Sequence, residues 1–112
     1  MDAKQLLDLS VAKIQEKKGT NLAVLQLTEV TTICDYFLLA TASNSKQAQA
    51  ICDNVIEAVK AQGIIPAHIE GYQNGRWILI DMGTVVLHIF QEEERQYYNL
   101  EKLWGQAPCQ KL

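Results

Sequence analysis

The chain has 112 residues, a formal net charge of −3 and an apolar fraction of 48%. That length suits one domain burying roughly two-thirds of its unfolded surface, and the composition excludes the disordered class. The acidic balance argues against direct nucleic-acid contact, which needs a basic footprint, and no apolar run reaches the ~20 residues that span a bilayer.

The first stretch, Met1 to Leu9, carries Asp2, Lys4 and Asp8. It has neither the apolar core of a signal peptide nor the arginines of a transit peptide, which favours a bacterial cytoplasm over an organelle. Asp2 to Lys18 is predicted as a helix, with Leu7, Val11 and Ile14 at i, i+4, i+7. Lys17 and Lys18 suit a last turn, and Gly19 suits a left-handed cap. Leu22 to Leu27 is a short strand. Asp35 to Ala42 is a second, and its run Tyr36-Phe37-Leu38-Leu39-Ala40 has no polar face, as in a strand buried on both sides. Ser43-Asn44-Ser45 caps the helix Lys46 to Gln62, which puts Ala48, Ile51, Cys52, Val55, Ile56 and Val59 on one stripe. Gly63 and Pro66 end it.

A short strand at Ala67 to Glu70 and a turn at Gly71 to Gly75 come next. Trp77 to Asp81 and Val85 to Phe90 form a hairpin around Asp81-Met82-Gly83-Thr84. A last helix, Gln91 to Trp104, starts polar and ends in Leu100, Leu103 and Trp104, before Gly105 and Pro108. The order α-β-β-α-β-β-β-α implies an α/β domain with a mixed sheet of about five strands flanked by helices. Residues 1–107 are read as that single domain and 108–112 as a frayed tail.

The hairpin carries apolar groups on both faces. Ile78 and Ile80 point one way, and Trp77, Leu79 and Asp81 the other. Val85, Leu87 and Ile89 share one side of the next strand; Val86, His88 and Phe90 share the opposite side. Two long helices cover one face of such a sheet, and a short third helix lacks the area to cover all of the other. Either the C-terminal helix folds back and packs Tyr97, Leu100 and Trp104 there, or a Trp77/Leu79 patch stays open as a binding surface. Glu92-Glu93-Glu94-Arg95 serves the helix dipole, and also forms an acidic rim that steers a basic partner.

Catalytic motifs are missing. Cys34, Cys52 and Cys109 show no C-x-x-C spacing, so neither a disulfide framework nor a zinc site is expected. Cys34 and Cys52 read as small core residues, and Cys109 as an accessible thiol. His68 and His88 lack ligand spacing, so no metal is assigned. No P-loop, dinucleotide fingerprint or nucleophile elbow occurs. A serine turn after a strand fits nucleotidyl transfer, but Asp81 stands alone between Leu79 and Gly83, and one carboxylate does not make a two-metal clamp.

Four segments together resemble the Iojap family, the ribosomal silencing factors. They are Cys34 to Thr41 with Ser43-Asn44-Ser45; Gly63-Ile64-Ile65-Pro66 with His68-Ile69-Glu70-Gly71; Trp77 to Gly83 with Val85 to Phe90; and Glu93-Glu94-Arg95 with Tyr97 to Glu101 and Leu103-Trp104-Gly105. The match spans nearly the whole chain in order and spacing. Ala42 stands where the family often has Gly, and Thr84 where it often has Asp.

The resemblance implies a nucleotidyltransferase-like fold without the catalytic carboxylates, no enzyme activity and no cofactor. It implies binding to the large ribosomal subunit through ribosomal protein fourteen, which would block subunit joining and repress translation. Carried onto this chain, the partner-facing residues are Trp77, Leu79, Asp81, His88, Glu94, Tyr98 and Trp104. The same patch could form a homodimer when free. A large-subunit assembly factor and a nucleotide-binding protein stand as the alternative functions.

Overall fold

The computed structural model describes residues 1–112. In chain order the elements are α1 (Ala3–Glu16), β1 (Thr20–Gln26), β2 (Tyr36–Ala42), α2 (Ser45–Ala61), β3 (His68–Glu70), β4 (Trp77–Asp81), β5 (Val85–Gln91), α3 (Glu92–Tyr98), α4 (Leu100–Leu103) and β6 (Cys109–Lys111). Six strands make one mixed sheet, ordered β3-β4-β5-β2-β1-β6. Only the central β2–β5 pair is parallel; every other pair is antiparallel. No helix is long and apolar enough to cross a membrane.

The two long helices start where their caps dictate. Asp2 accepts the Gln5 N–H at 2.8 Å, and the Gln5 side chain accepts the Asp2 N–H at 2.9 Å. Those two bonds satisfy donors that the first turn leaves free. Asn44 caps α2 by accepting the Gln47 N–H at 2.8 Å. Helices α1 and α2 lie on one face of the sheet. Their stripes of Leu6, Leu7, Ile14, Ala48, Ile51, Cys52, Val55 and Val59 close over Leu38, Ile78, Ile80, Val85, Leu87 and Ile89, forming the larger core cluster. The hairpin residues expected on this face are all there. Cys34 and Cys52 are buried, and burial pushes the Cys52 thiol up to about 12, so it packs as a small apolar group.

Three local readings change. The tail after Pro108 is not free: β6 pairs with β1, with Cys109 opposite Leu25 and Lys111 opposite Ala23. It covers an edge that would otherwise present unpaired backbone groups. Three residues of mixed polarity carry no period from which such a strand can be read. The last helix is broken at Asn99, whose backbone is left-handed (φ +44°) and whose side chain caps α4 by accepting the Lys102 N–H. Asn tolerates that conformation and bonds locally, so one helix becomes two short ones at an angle. Finally, Lys18, not Gly19, takes the left-handed position after α1 (φ +64°). Gly19 is required for contact: a Cβ there would stand 2.4 Å from Ile14 Cγ2.

Candidate functional site

The opposite sheet face is only partly covered. A smaller core cluster joins Ala23, Leu25, Leu27, Leu39, Val86 and Phe90 to Cys34, Leu100 and Ala107. The loop after β1 and the C-terminal arm therefore roof strands β1, β2 and β5. Of the three residues expected to fold back over this face, Leu100 is buried and Trp104 half-buried, whereas Tyr97 points out, 82% exposed. Beyond β5 the roof thins, and on β4 Tyr98 alone packs over Trp77.

Beyond it lies an open strip on β3 and β4. Directly paired residues share a face. His68 pairs with Asp81 and Glu70 with Leu79, so these four stand with Trp77 on one side. Trp77, Leu79 and Asp81 are half-buried; His68 and Glu70 are exposed. His68 and Glu70 belong to the strip by register, which the alternation of β4 alone does not reveal. The strip thus has apolar area at its centre and carboxylates beside it.

Aromatic packing gives the strip its shape. The Trp77 ring packs against Phe90, stacked at 4.9 Å between centroids, and against Tyr98 at 4.5 Å. Phe37 sets its edge against His88 at 4.6 Å and against Trp104 at 5.7 Å. Phe37 and Phe90 were not singled out as site residues; cross-strand neighbours of this kind are visible only once the β2–β5 and β4–β5 registers are known.

His88 is not at the surface. It is 3% exposed and lies under the aromatic groups, so it is corrected here from a partner-facing residue to a buried one. The Trp77 indole N–H donates to His88 Nδ1 at 3.1 Å. An indole only donates, so Nδ1 carries the lone pair and the ring proton sits on Nε2. That Nε2 is buried without a partner. Burial lowers the His88 pKa to about 4, so the ring is neutral at pH 7.

Local contacts hold the strip, and a buried arginine holds the arm beside it. At one end Gly71 (φ +79°) brings its backbone so close to Trp77 that a Cβ would meet the Trp77 carbonyl oxygen at 2.0 Å. Arg76, next to Trp77, pairs with Glu94 at 3.3 Å, so the Glu94 side chain is mostly turned inward and tied to the scaffold. Arg95, 4% exposed, anchors the C-terminal arm to β1 and β2. Its guanidinium donates to both Glu101 oxygens (3.3 and 3.2 Å), to Thr41 Oγ1 (2.9 Å) and to the Asn21 carbonyl. Burial pushes the Glu101 carboxyl up, but the hydrogen bonds from Arg95 and Lys111 outweigh it and hold the group below its usual range. The sequence pattern placed Arg95 in an acidic run and missed this role, which depends on residues far away in the chain.

The structure thus gathers Trp77, Leu79, Asp81 and Tyr98 on one surface. It puts His88 beneath them, Glu94 at the flank and Trp104 in the roof. No group of three or more His, Cys, Asp or Glu side chains is arranged to hold a metal ion.

Comparison with known proteins bears on the family and the fold. The family model described as "Ribosomal silencing factor during starvation" matches residues 1–112. A protein of Halalkalibacterium halodurans called ribosomal silencing factor RsfS is 42% identical over 112 residues, covering 100% of this chain and 96% of that protein. The Bacillus subtilis protein of the same name is 38% identical, covering 100% and 95%. A crystal structure of a Chromobacterium violaceum protein superposes with a TM-score of 0.91 at 28% identity, covering 94% of this chain and 88% of that one.

Proposed function

This chain belongs to the ribosomal silencing factor family, and from that premise we propose that it represses translation by docking on the large ribosomal subunit. Its partner is large-subunit ribosomal protein fourteen, and the bound factor blocks joining of the small subunit by occupying space. Occlusion requires affinity and position, and no bond chemistry. One observation carries the reading: the Trp77/Leu79 strip of β4 that the C-terminal arm covers only in part. Trp77 and Leu79 provide the apolar anchor, Tyr98 extends it at 46% exposure, and Asp81 with Glu70 gives the surround an acidic character suited to a basic ribosomal protein.

Trp77→Ala is expected to weaken binding to purified ribosomal protein fourteen about thirtyfold, roughly 2 kcal/mol, with the fold retained. Titration calorimetry measures it; unchanged affinity in a folded variant rules out Trp77 as the anchor. Density-gradient profiles with added protein test the mechanism. Loss of joined ribosomes supports occlusion, whereas intact joining beside defective large subunits points to assembly instead.

The same strip serves a second copy of the chain when the ribosomal partner is absent, so self-association and docking compete. Sedimentation is expected to show a dimer that dissociates on adding the ribosomal protein. A dimer that persists in the complex contradicts this.

A further inference from the structure

We infer that His88 is a positioning residue for docking: it never touches the partner, and it fixes the Trp77 indole in the orientation that the partner meets. This rests on the docking reading above. Trp77 and His88 sit on adjacent antiparallel strands, two residue pairs apart in register, on the same sheet face. The His88 ring lies below the surface, with Phe37 edge-on to it and Phe90 stacked parallel at 6.0 Å. Neither neighbour offers a hydrogen bond. The one polar contact of the imidazole is the indole N–H at 3.1 Å.

The position is costly for a histidine. The Nδ1–indole bond forces the proton onto Nε2, and Nε2 is buried with no acceptor. Residues of the same face that flank it on β5, Val86 and Phe90, are apolar, as are its cross-strand neighbours Leu39 and Leu79. Packing alone favours an apolar side chain here. A local rule broken inside an otherwise consistent core marks a functional constraint. What His88 supplies, and no apolar residue could, is an acceptor under the indole.

That acceptor acts on the free protein. A half-exposed Trp can turn about two side-chain bonds, and ordering it on binding costs affinity. The hydrogen bond holds one orientation beforehand, with Phe90 and Tyr98 packed against the ring. The anchor then reaches the partner already set.

The experiment is a double-mutant cycle on the full chain, read by calorimetry with purified ribosomal protein fourteen and by NMR of the free protein. His88→Leu is expected to keep the fold and lower affinity about tenfold, the loss of one neutral hydrogen bond and the order it imposes. His88→Asn, whose amide oxygen can take the place of Nδ1, is expected to recover most of that loss. In a Trp77→Phe background, which lacks the indole N–H, His88→Leu is expected to have almost no further effect. A merely structural histidine would cost the same in both backgrounds, and that result overturns the inference.

In the free protein, nitrogen spectra should show His88 protonated on Nε2, and the Trp77 indole N–H should exchange more slowly than in His88→Leu. A proton on Nδ1, or equal exchange in the two proteins, also overturns it. If the unmutated chain does not bind the ribosomal protein, the docking reading fails, while the tautomer and the exchange rates still decide the positioning. Should His88→Leu not fold, His88→Asn and Trp77→Phe carry the test.

Discussion

Arg95→Met is expected to lower the unfolding free energy by roughly 3–5 kcal/mol, the usual cost of removing one partner of a buried ion pair. For a domain of this size that is a large share of a total of about 5–15 kcal/mol. The guanidinium satisfies four acceptor atoms on Glu101, Thr41 and Asn21, and its removal leaves the Thr41 hydroxyl in a site that excludes water. Glu101 keeps Lys111, at 2.6 Å, but loses its two bonds to Arg95. Because Thr41 lies near the end of β2, Asn21 near the start of β1 and Glu101 in α4, the loss falls on the joint between the arm and the sheet. Urea denaturation of the parent and variant measures the difference. Arg95→Met/Glu101→Met is expected to regain a substantial part, since an apolar pair needs no charge compensation. A single variant within about 1 kcal/mol of the parent would show that the arm is held by packing alone.

Acid should weaken the fold through His88 well before the carboxylates titrate. The unfolded imidazole takes a proton near 6.5, whereas the folded one stays neutral down to about 4 because burial disfavours its charged form. Between those values the unfolded chain binds the extra proton, so stability falls as pH falls, by about 1.4 kcal/mol per unit. The contribution is complete above pH 6.5 and lost by pH 4, a total of roughly 3 kcal/mol over that window. Protonation at Nδ1 would also set an N–H against the indole N–H, so the Trp77 contact breaks in the same step. Glu101, held below its usual range, adds a further loss at lower pH. Denaturation of the parent and of His88→Leu at pH 7, 5.5 and 4 isolates the effect. The gap between the two proteins should shift in favour of the variant as pH falls, and parallel curves would remove His88 from the account.

Both predictions concern residues whose importance was poorly visible in the chain as written. Arg95 follows three glutamates at a helix start, and nothing local distinguishes it from a solvated partner of theirs. Its acceptors lie 54 and 74 residues away, at Thr41 and Asn21. His88 sits in an alternating strand, and alternation assigns it to the Trp77 face without saying how deep that face is. The answer depends on Phe37, brought beside it by a parallel pairing, and on an arm that bends at Asn99.

What the amino-acid order determines by itself is the set of elements with strong periods: the stripe of α2, the doubly buried β2 and the two-faced hairpin. It also contains the family pattern, since motif spacing survives without knowledge of packing. Tertiary structure alone decided that Cys109–Lys111 closes the β1 edge, that the last helix breaks in two, that the roof covers β4 only through Tyr98, and that His68 and Glu70 join the Trp77 strip. The physical reason is one of range. Periodicity records which side of an element is apolar, through neighbours two to four residues apart. Whether that side ends as core or as docking surface depends on what distant part of the chain covers it.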